Sequence, residues 1–180
     1  MAVGLVLAAL WQGAARAEGR SFNISAAPSV SDWRYFQNMP PNELARLWQD
    51  HEKTGKKLRN WSWQWRIGWM KVCMHSKSSY CDALLREGLS DKAMVVRSEA
   101  AAGLGQRFEG TRDQATLQLL AHAYKDAKNE RNGKPLLIRY RILFAIDQIA
   151  GKHASDMGRD LSASHARTVR YWETIDKNRI

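Results

Sequence analysis

The densest concentration of residues able to do chemistry lies between Lys53 and Cys81. This stretch holds seven Lys and Arg residues, no Asp or Glu, and four tryptophans, Trp61, Trp63, Trp65 and Trp69. Indole faces stack on bases, sugars or aromatic ligands, while cationic side chains hold anions. Position along a helix separates the uses. Trp61, Trp65 and Trp69 recur every fourth residue, the spacing of a buried stripe, and are read as core. Trp63 falls on another side of the same helix. With Lys56, Lys57, Arg59 and Arg66 it makes the candidate binding set, an exposed basic and aromatic patch. The competing assignment for these charges is a solvated helix face.

Catalytic signatures are lacking. The chain has no G-x-S-x-G, H-E-x-x-H, C-x-x-C or P-loop sequence. Gly103-Leu104-Gly105 is a truncated glycine pattern inside a helical period, and it reads as close helix packing. His51-Glu52 is a lone pair of the type that iron-dependent hydroxylases need in several copies. His75, His122, His153 and His165 have no Ser or Cys at a suggestive spacing. No catalytic residue, metal ligand or cofactor is assigned.

Several features point to export. Val3 to Trp11 is a short uncharged apolar run, and Ala15-Arg16-Ala17 is a small-x-small cleavage sequence before Glu18. Residues 1–17 are therefore read as a signal peptide, 18–38 as a polar linker, and 39–178 as the folded domain. Cys73 and Cys81 are the two cysteines, spaced C-x7-C, and an exported chain with one pair is read as carrying one disulfide. A metal site with His75 is the alternative, but a closed zinc site takes four ligands and no second Cys/His pair follows at suitable spacing. Two free thiols would fit a cytosolic chain instead.

Elements that would position these residues follow from composition and period. The 180 residues are 44% hydrophobic and 26% charged, which suits one folded unit. No apolar run approaches the roughly 18 residues that span a bilayer. The formal charge of +10 favours polyanionic or acidic partners without choosing among them. Leu117, Leu120, Ala121, Tyr124 and Ala127 follow a helical period, as do Ile138, Ile142, Ala145, Ile146 and Ile149. Helices are predicted at about 41–54, 57–75, 80–89, 93–108, 113–128, 136–150 and 155–176. Ser90 or Asp91 is read as capping the helix opening near Ala93, Thr111 as the next N-cap, and Gly151 as a helix stop.

The chain also repeats itself. Leu84-Leu85 to Asp91 returns 35 residues later as Leu119-Leu120 to Asp126. Val96-Arg97 followed by Ala100, Ala101 and Leu104 returns 42 residues later as Ile138-Arg139 followed by Ile142, Leu143 and Ile146. The difference places seven extra residues around Asn129 to Pro135, a stretch with turn chemistry. Asp91 to Gly105 reads D-x4-V-R-x2-A-A-x2-L-G, which resembles the HEAT repeat, including the HEAT-like repeats of phycobilin lyases. The resemblance covers about residues 41–151. It implies an all-α fold, a short right-handed α-solenoid of stacked antiparallel helix hairpins. It further implies a ladder between neighbouring repeats built from Asp91, Arg97, Asp126 and Arg139.

Function is then expected to be that of an exported, periplasmic or secreted scaffold without catalysis. Its partner would be another protein or an anionic envelope polymer. Two alternatives stand beside it. One is a nucleic-acid-binding module or a protein similar to HEAT-like alkylpurine DNA glycosylases, suggested by size, charge and tryptophans. The other is a chromophore binder similar to phycobilin lyases. Oligomeric state has no sequence signal.

Overall fold

A computed structural model describes residues 22–53 and 58–151. The predicted signal peptide, Lys56, Lys57 and the predicted helix at 155–176 lie outside the described residues. Within them the fold is all-α. The helices are α1 (Val30–Gln37), α2 (Pro41–Lys53), α3 (Trp63–His75), α4 (Tyr80–Gly88), α5 (Met94–Arg107), α6 (Gln114–Lys125) and α7 (Leu137–Ile149). No helix among the described residues is long and apolar enough to cross a membrane.

Three helices lie side by side, with α5 packed between α3 and α7. Helix α4 rests on α3 and α5, and α6 rests on α7. The sequence of α5 explains its central place. Val96, Ala100, Ala101 and Leu104 are buried, and Gly103 and Gly105 let its neighbours come close. A Cβ at Gly105 would sit 2.8 Å from the Cα of Ala145 on α7. A Cβ at Gly103 would sit 2.6 Å from a methyl of Leu85 on α4.

Trp65 and Trp69 pack on the buried side of α3 as their period predicts, whereas Trp61 lies ahead of the helix, which begins at Trp63 and not at 57. Trp61, Trp65 and Trp69 are buried and Trp63 is exposed. Phe36 meets Trp65 and Trp69 edge to face, with ring centroids 5.5 and 5.2 Å apart. Phe36 belongs to α1, so the reading of 18–38 as a polar linker needs correction. Ser29 caps α1 by accepting the Asp32 N–H, and Phe22 closes over the Trp65 and Phe36 rings. Eight residues are too few for a periodicity window of about 11 or more to register. Gly68 on α3 supplies the space, since a Cβ there would meet Phe36 and Trp33 at 3.1 Å.

Turn chemistry sets the remaining boundaries. Asp113, not Thr111, caps α6, accepting the Thr116 N–H at 2.8 Å. Gly110 (φ 69°) and Arg112 (φ 56°) both adopt left-handed backbone, so the chain turns twice before it can become helical. The seven-residue insertion is a small antiparallel hairpin, β1 (Glu130–Arg131) and β2 (Lys134–Pro135), around Asn132 and Gly133. Both turn residues have positive φ, as a two-residue hairpin loop of this type requires. Gly151, at φ 77°, ends α7 as expected.

Candidate cleft between the two walls of the Arg66–Asp91 ion pair

Helix α3 begins late because residues 58–60 form a separate 3-10 turn and Ser62 is extended. Across from this turn stands the α4–α5 connection, Leu89 to Ala93. Between these walls lies a cleft of about 440 Å³. Behind it lie the buried Leu58, Met70 and Val96 and the Arg66 and Asp91 side chains, and the exposed Arg59, Glu87, Ser90 and Lys92 stand around it.

One ion pair joins the walls. The Arg66 guanidinium donates to both Asp91 carboxylate oxygens, Nε at 2.7 Å and Nη2 at 3.0 Å. Its Nη1 donates to the Trp61 carbonyl and, at 3.4 Å, to the Arg59 carbonyl. Arg66 is 2% exposed and the Asp91 side chain 8%. Asp91 Oδ1 also accepts the Ala93 N–H at 2.7 Å; Ala93 is itself the N-cap of α5 and no side chain caps that helix, so the predicted capping by Ser90 or Asp91 is corrected to a bond that fixes the connection just before it. A bidentate pair at this burial fixes orientation strongly, because neither charge can be left unpaired there.

The candidate binding residues therefore separate. Arg66 was expected on the exposed patch beside Trp63 and is instead a buried brace at the cleft. Its stem enters the core and its charge finds Asp91, which no reading of α3 alone could supply. Arg59 is exposed and lines the cleft. Trp63 is 47% exposed but does not line it. Among the described residues, the side chains of Arg59, Glu87 and Lys92 make no ion pair or hydrogen bond with the rest of the chain, which leaves three charges available at one cleft.

The other members of the expected ladder have partners that differ from the simplest pairing. Arg97 is buried and donates to the Asn129 side chain at 2.8 Å and the Lys128 carbonyl at 3.0 Å. It also donates to the Asp91 carbonyl, 2.8 Å, rather than to its carboxylate. Burial lowers the Arg97 pKa, against the nearby charges of Asp126 and Asp91. Asp126 makes no direct bond to Arg97; its carboxylate accepts the Lys128 N–H instead. The acceptor is Asn129, which the sequence reading missed. Arg139 pairs with Glu130 at 2.9 Å and lies over the Tyr124 ring. A sequence signal for Arg66 was present. Trp65-Arg66 repeats the apolar-Arg pairs Val96-Arg97 and Ile138-Arg139 at the first turn of α3, α5 and α7.

Cys73 and Cys81 lie at disulfide distance, with Cα atoms 4.9 Å apart and both side chains buried. Arg107 at the end of α5 holds this loop, donating to Asp82, to the Cys73 carbonyl and to the Ser78 carbonyl. His75 lies nearby with its ring nitrogen 3.3 Å from Gln106. Among the described residues no three His, Cys, Asp or Glu side chains are grouped as metal ligands. No family model matches the chain, and no curated protein or solved structure matches it.

Proposed function

We propose that the chain is an exported, non-catalytic binding scaffold of HEAT-like type. In this reading residues 39–178 form a short right-handed solenoid of stacked antiparallel hairpins. Its role is to hold another protein in the periplasm or outside the cell. The observation that carries the reading is the cleft. Two cations and a carboxylate, without partners among the described residues, stand around it, while the charges beneath them are neutralised and fixed. A rigid recognition surface needs that combination of fixed base and available rim.

Two further observations support it. Arg66, Arg97 and Arg139 each follow an apolar residue in the first turn of a helix, and these helices pack in succession, α3 on α5 and α5 on α7. Nearest-neighbour packing of this kind is the architecture of repeat proteins. A cysteine pair at disulfide distance suits an oxidising compartment.

The test places a photo-crosslinking side chain at Ser90, beside the cleft, in the full chain expressed in a bacterial host. It should trap one discrete envelope protein, and Arg59→Glu should abolish the adduct. The same group at Gln118, exposed on α6, should trap nothing comparable. Equal yields from both positions, or none from Ser90, would remove the scaffold reading. In the same cells the mature chain should begin at Glu18. It should be lighter than its reduced form by the two thiol hydrogens.

A further inference from the structure

Exposed apolar side chains gather on one part of the molecule. Leu137, Tyr140 and Phe144 occupy positions i, i+3 and i+7 of α7 and form an exposed stripe, with Leu137 62% exposed. Val95 on α5 is exposed too and holds the same place in its helix, since it precedes Val96-Arg97 as Leu137 precedes Ile138-Arg139. Helices α5 and α7 pack side by side. Their starts meet at Asn129, whose side chain accepts from Arg97 at 2.8 Å and whose carbonyl accepts the Leu136 N–H at 3.0 Å. Cations border this apolar surface. Arg131 and Lys134 sit opposite each other across the β1–β2 ladder, just before α7, and Arg141 follows Tyr140. All three are exposed, and none makes an ion pair or hydrogen bond with the rest of the described chain. Glu130, on the same hairpin, is occupied by Arg139. Glu99, one turn after Val95, is half-buried and leaves the positive charges in excess. Like charges directly opposed across two strands are destabilising by themselves, and a bound anion offsets that cost. The hairpin is also where the two sequence copies differ by seven residues, so the helix pairing does not require it.

An exposed apolar stripe bordered by cations suits a partner with negative charge at its surface and hydrocarbon beneath. A phosphate chain would neutralise Arg131 and Lys134 but leave Leu137 and Phe144 in water. A second copy of the chain would bring these cations against their own kind, at a formal charge of +10 per chain. A peptide gains most from a shaped groove, and the cleft described above includes none of these residues. We infer that this surface docks on an anionic lipid bilayer. Leu137, Phe144 and Val95 enter the interface with Tyr140 at headgroup level, and Arg131, Lys134 and Arg141 meet lipid phosphates. The inference goes beyond the scaffold reading and uses a separate surface, so either can fail alone.

Flotation of the full chain with lipid vesicles tests it. Vesicles of equal parts phosphatidylglycerol and phosphatidylcholine should carry the protein upward at low ionic strength, and pure phosphatidylcholine vesicles should leave it behind. Arg131→Gln and Lys134→Gln should each weaken the partition about fivefold, the effect of one cation at an anionic surface. Leu137→Ser should weaken it about tenfold, because an apolar side chain no longer enters hydrocarbon. Lys77→Gln, exposed beyond the other end of α3, should change it little. All four side chains are exposed, so circular dichroism should show every variant folded. Absence of flotation with the anionic vesicles overturns the inference, as does equal flotation with both kinds. A loss at Lys77→Gln equal to that at Lys134→Gln also overturns it, since net charge alone would then explain the binding. Undiminished flotation of Leu137→Ser, with full displacement of the native chain by soluble polyphosphate, overturns it as well and assigns the cations to a dissolved polyanion.

Discussion

Replacing Arg66 by alanine is the most informative perturbation of this fold. The substitution removes two bonds to Asp91 and two to the carbonyls of Trp61 and Arg59. It leaves the Asp91 carboxylate nearly buried with the Ala93 N–H as its remaining partner. Breaking a buried pair from one side costs about 3–5 kcal/mol, because an uncompensated charge remains. Domains of ordinary stability have only about 5–15 kcal/mol to lose. Arg66→Ala should therefore shift the urea midpoint far, read by tryptophan fluorescence and far-UV circular dichroism together. Asp91→Ala should cost a similar amount by stranding the guanidinium. The double variant Arg66→Ala with Asp91→Ala should be more stable than the sum of the two single losses implies, since no charge is left buried. A double-mutant cycle should then give a coupling above about 1.5 kcal/mol. Additive effects would refute the argument that the pair, rather than two separate packing contributions, joins the walls.

Three other outcomes follow from local geometry. Gly105→Ala should destabilise by about 1–3 kcal/mol in chemical denaturation, because the new methyl meets backbone at Ala145. Gly103→Ala meets only the end of the Leu85 side chain and should be close to neutral, aided by a helix-propensity gain of about 0.5–1 kcal/mol. Equal losses at both sites would contradict this account of α5 packing. The Asp113 carboxyl is held below its ordinary pKa by hydrogen bonds from Thr116, with Arg86 adding to the effect. A lowered folded pKa gives stability that is present above the unfolded value near 3.9 and lost as pH falls through the folded one. Asp113→Asn should thus flatten the stability profile below about pH 4, measured by thermal melts across pH, and an unchanged profile would discount the cap. Replacing Cys73 and Cys81 together by alanine should cost about 2–3 kcal/mol, the value for closing a loop of this length, and the melt of the native chain in reductant should move the same way.

Much of the fold is legible in the sequence because helical period is a local property. Trp65 and Trp69 point to one side of α3 whatever surrounds them, and any partner for that stripe must cover it; Trp61 precedes α3 outside the helix and joins them by tertiary packing, not by period. The glycine pair in α5 and the stop at Gly151 are legible for the same reason, since a missing Cβ and a positive φ are properties of one residue. The short helix α1 is different. Its Phe36 is held by rings from α3, and too few of its own residues carry a pattern.

The candidate site divides along the same line. Residue type marked Arg59 and Trp63 as able to bind, and exposure is consistent with their place on the outside of the first turns. Arg66 carries the same charge three residues after Trp63, yet it is buried, because its partner Asp91 is 25 residues away on another connection. Arg97 reaches 32 residues forward to Asn129 and passes over the aspartate that the repeat pattern offered. The sequence by itself determined where most of the helices from α2 onward form and which of their faces are apolar, though not α1 or the start of α3. Only the tertiary structure decided which charges meet, because a charged side chain settles on the partner that helix packing brings within hydrogen-bond range. Lys92, Glu87 and Arg59 line one cleft because packing sets the α4–α5 connection opposite the turn at 58–60, and their separation along the chain concealed it.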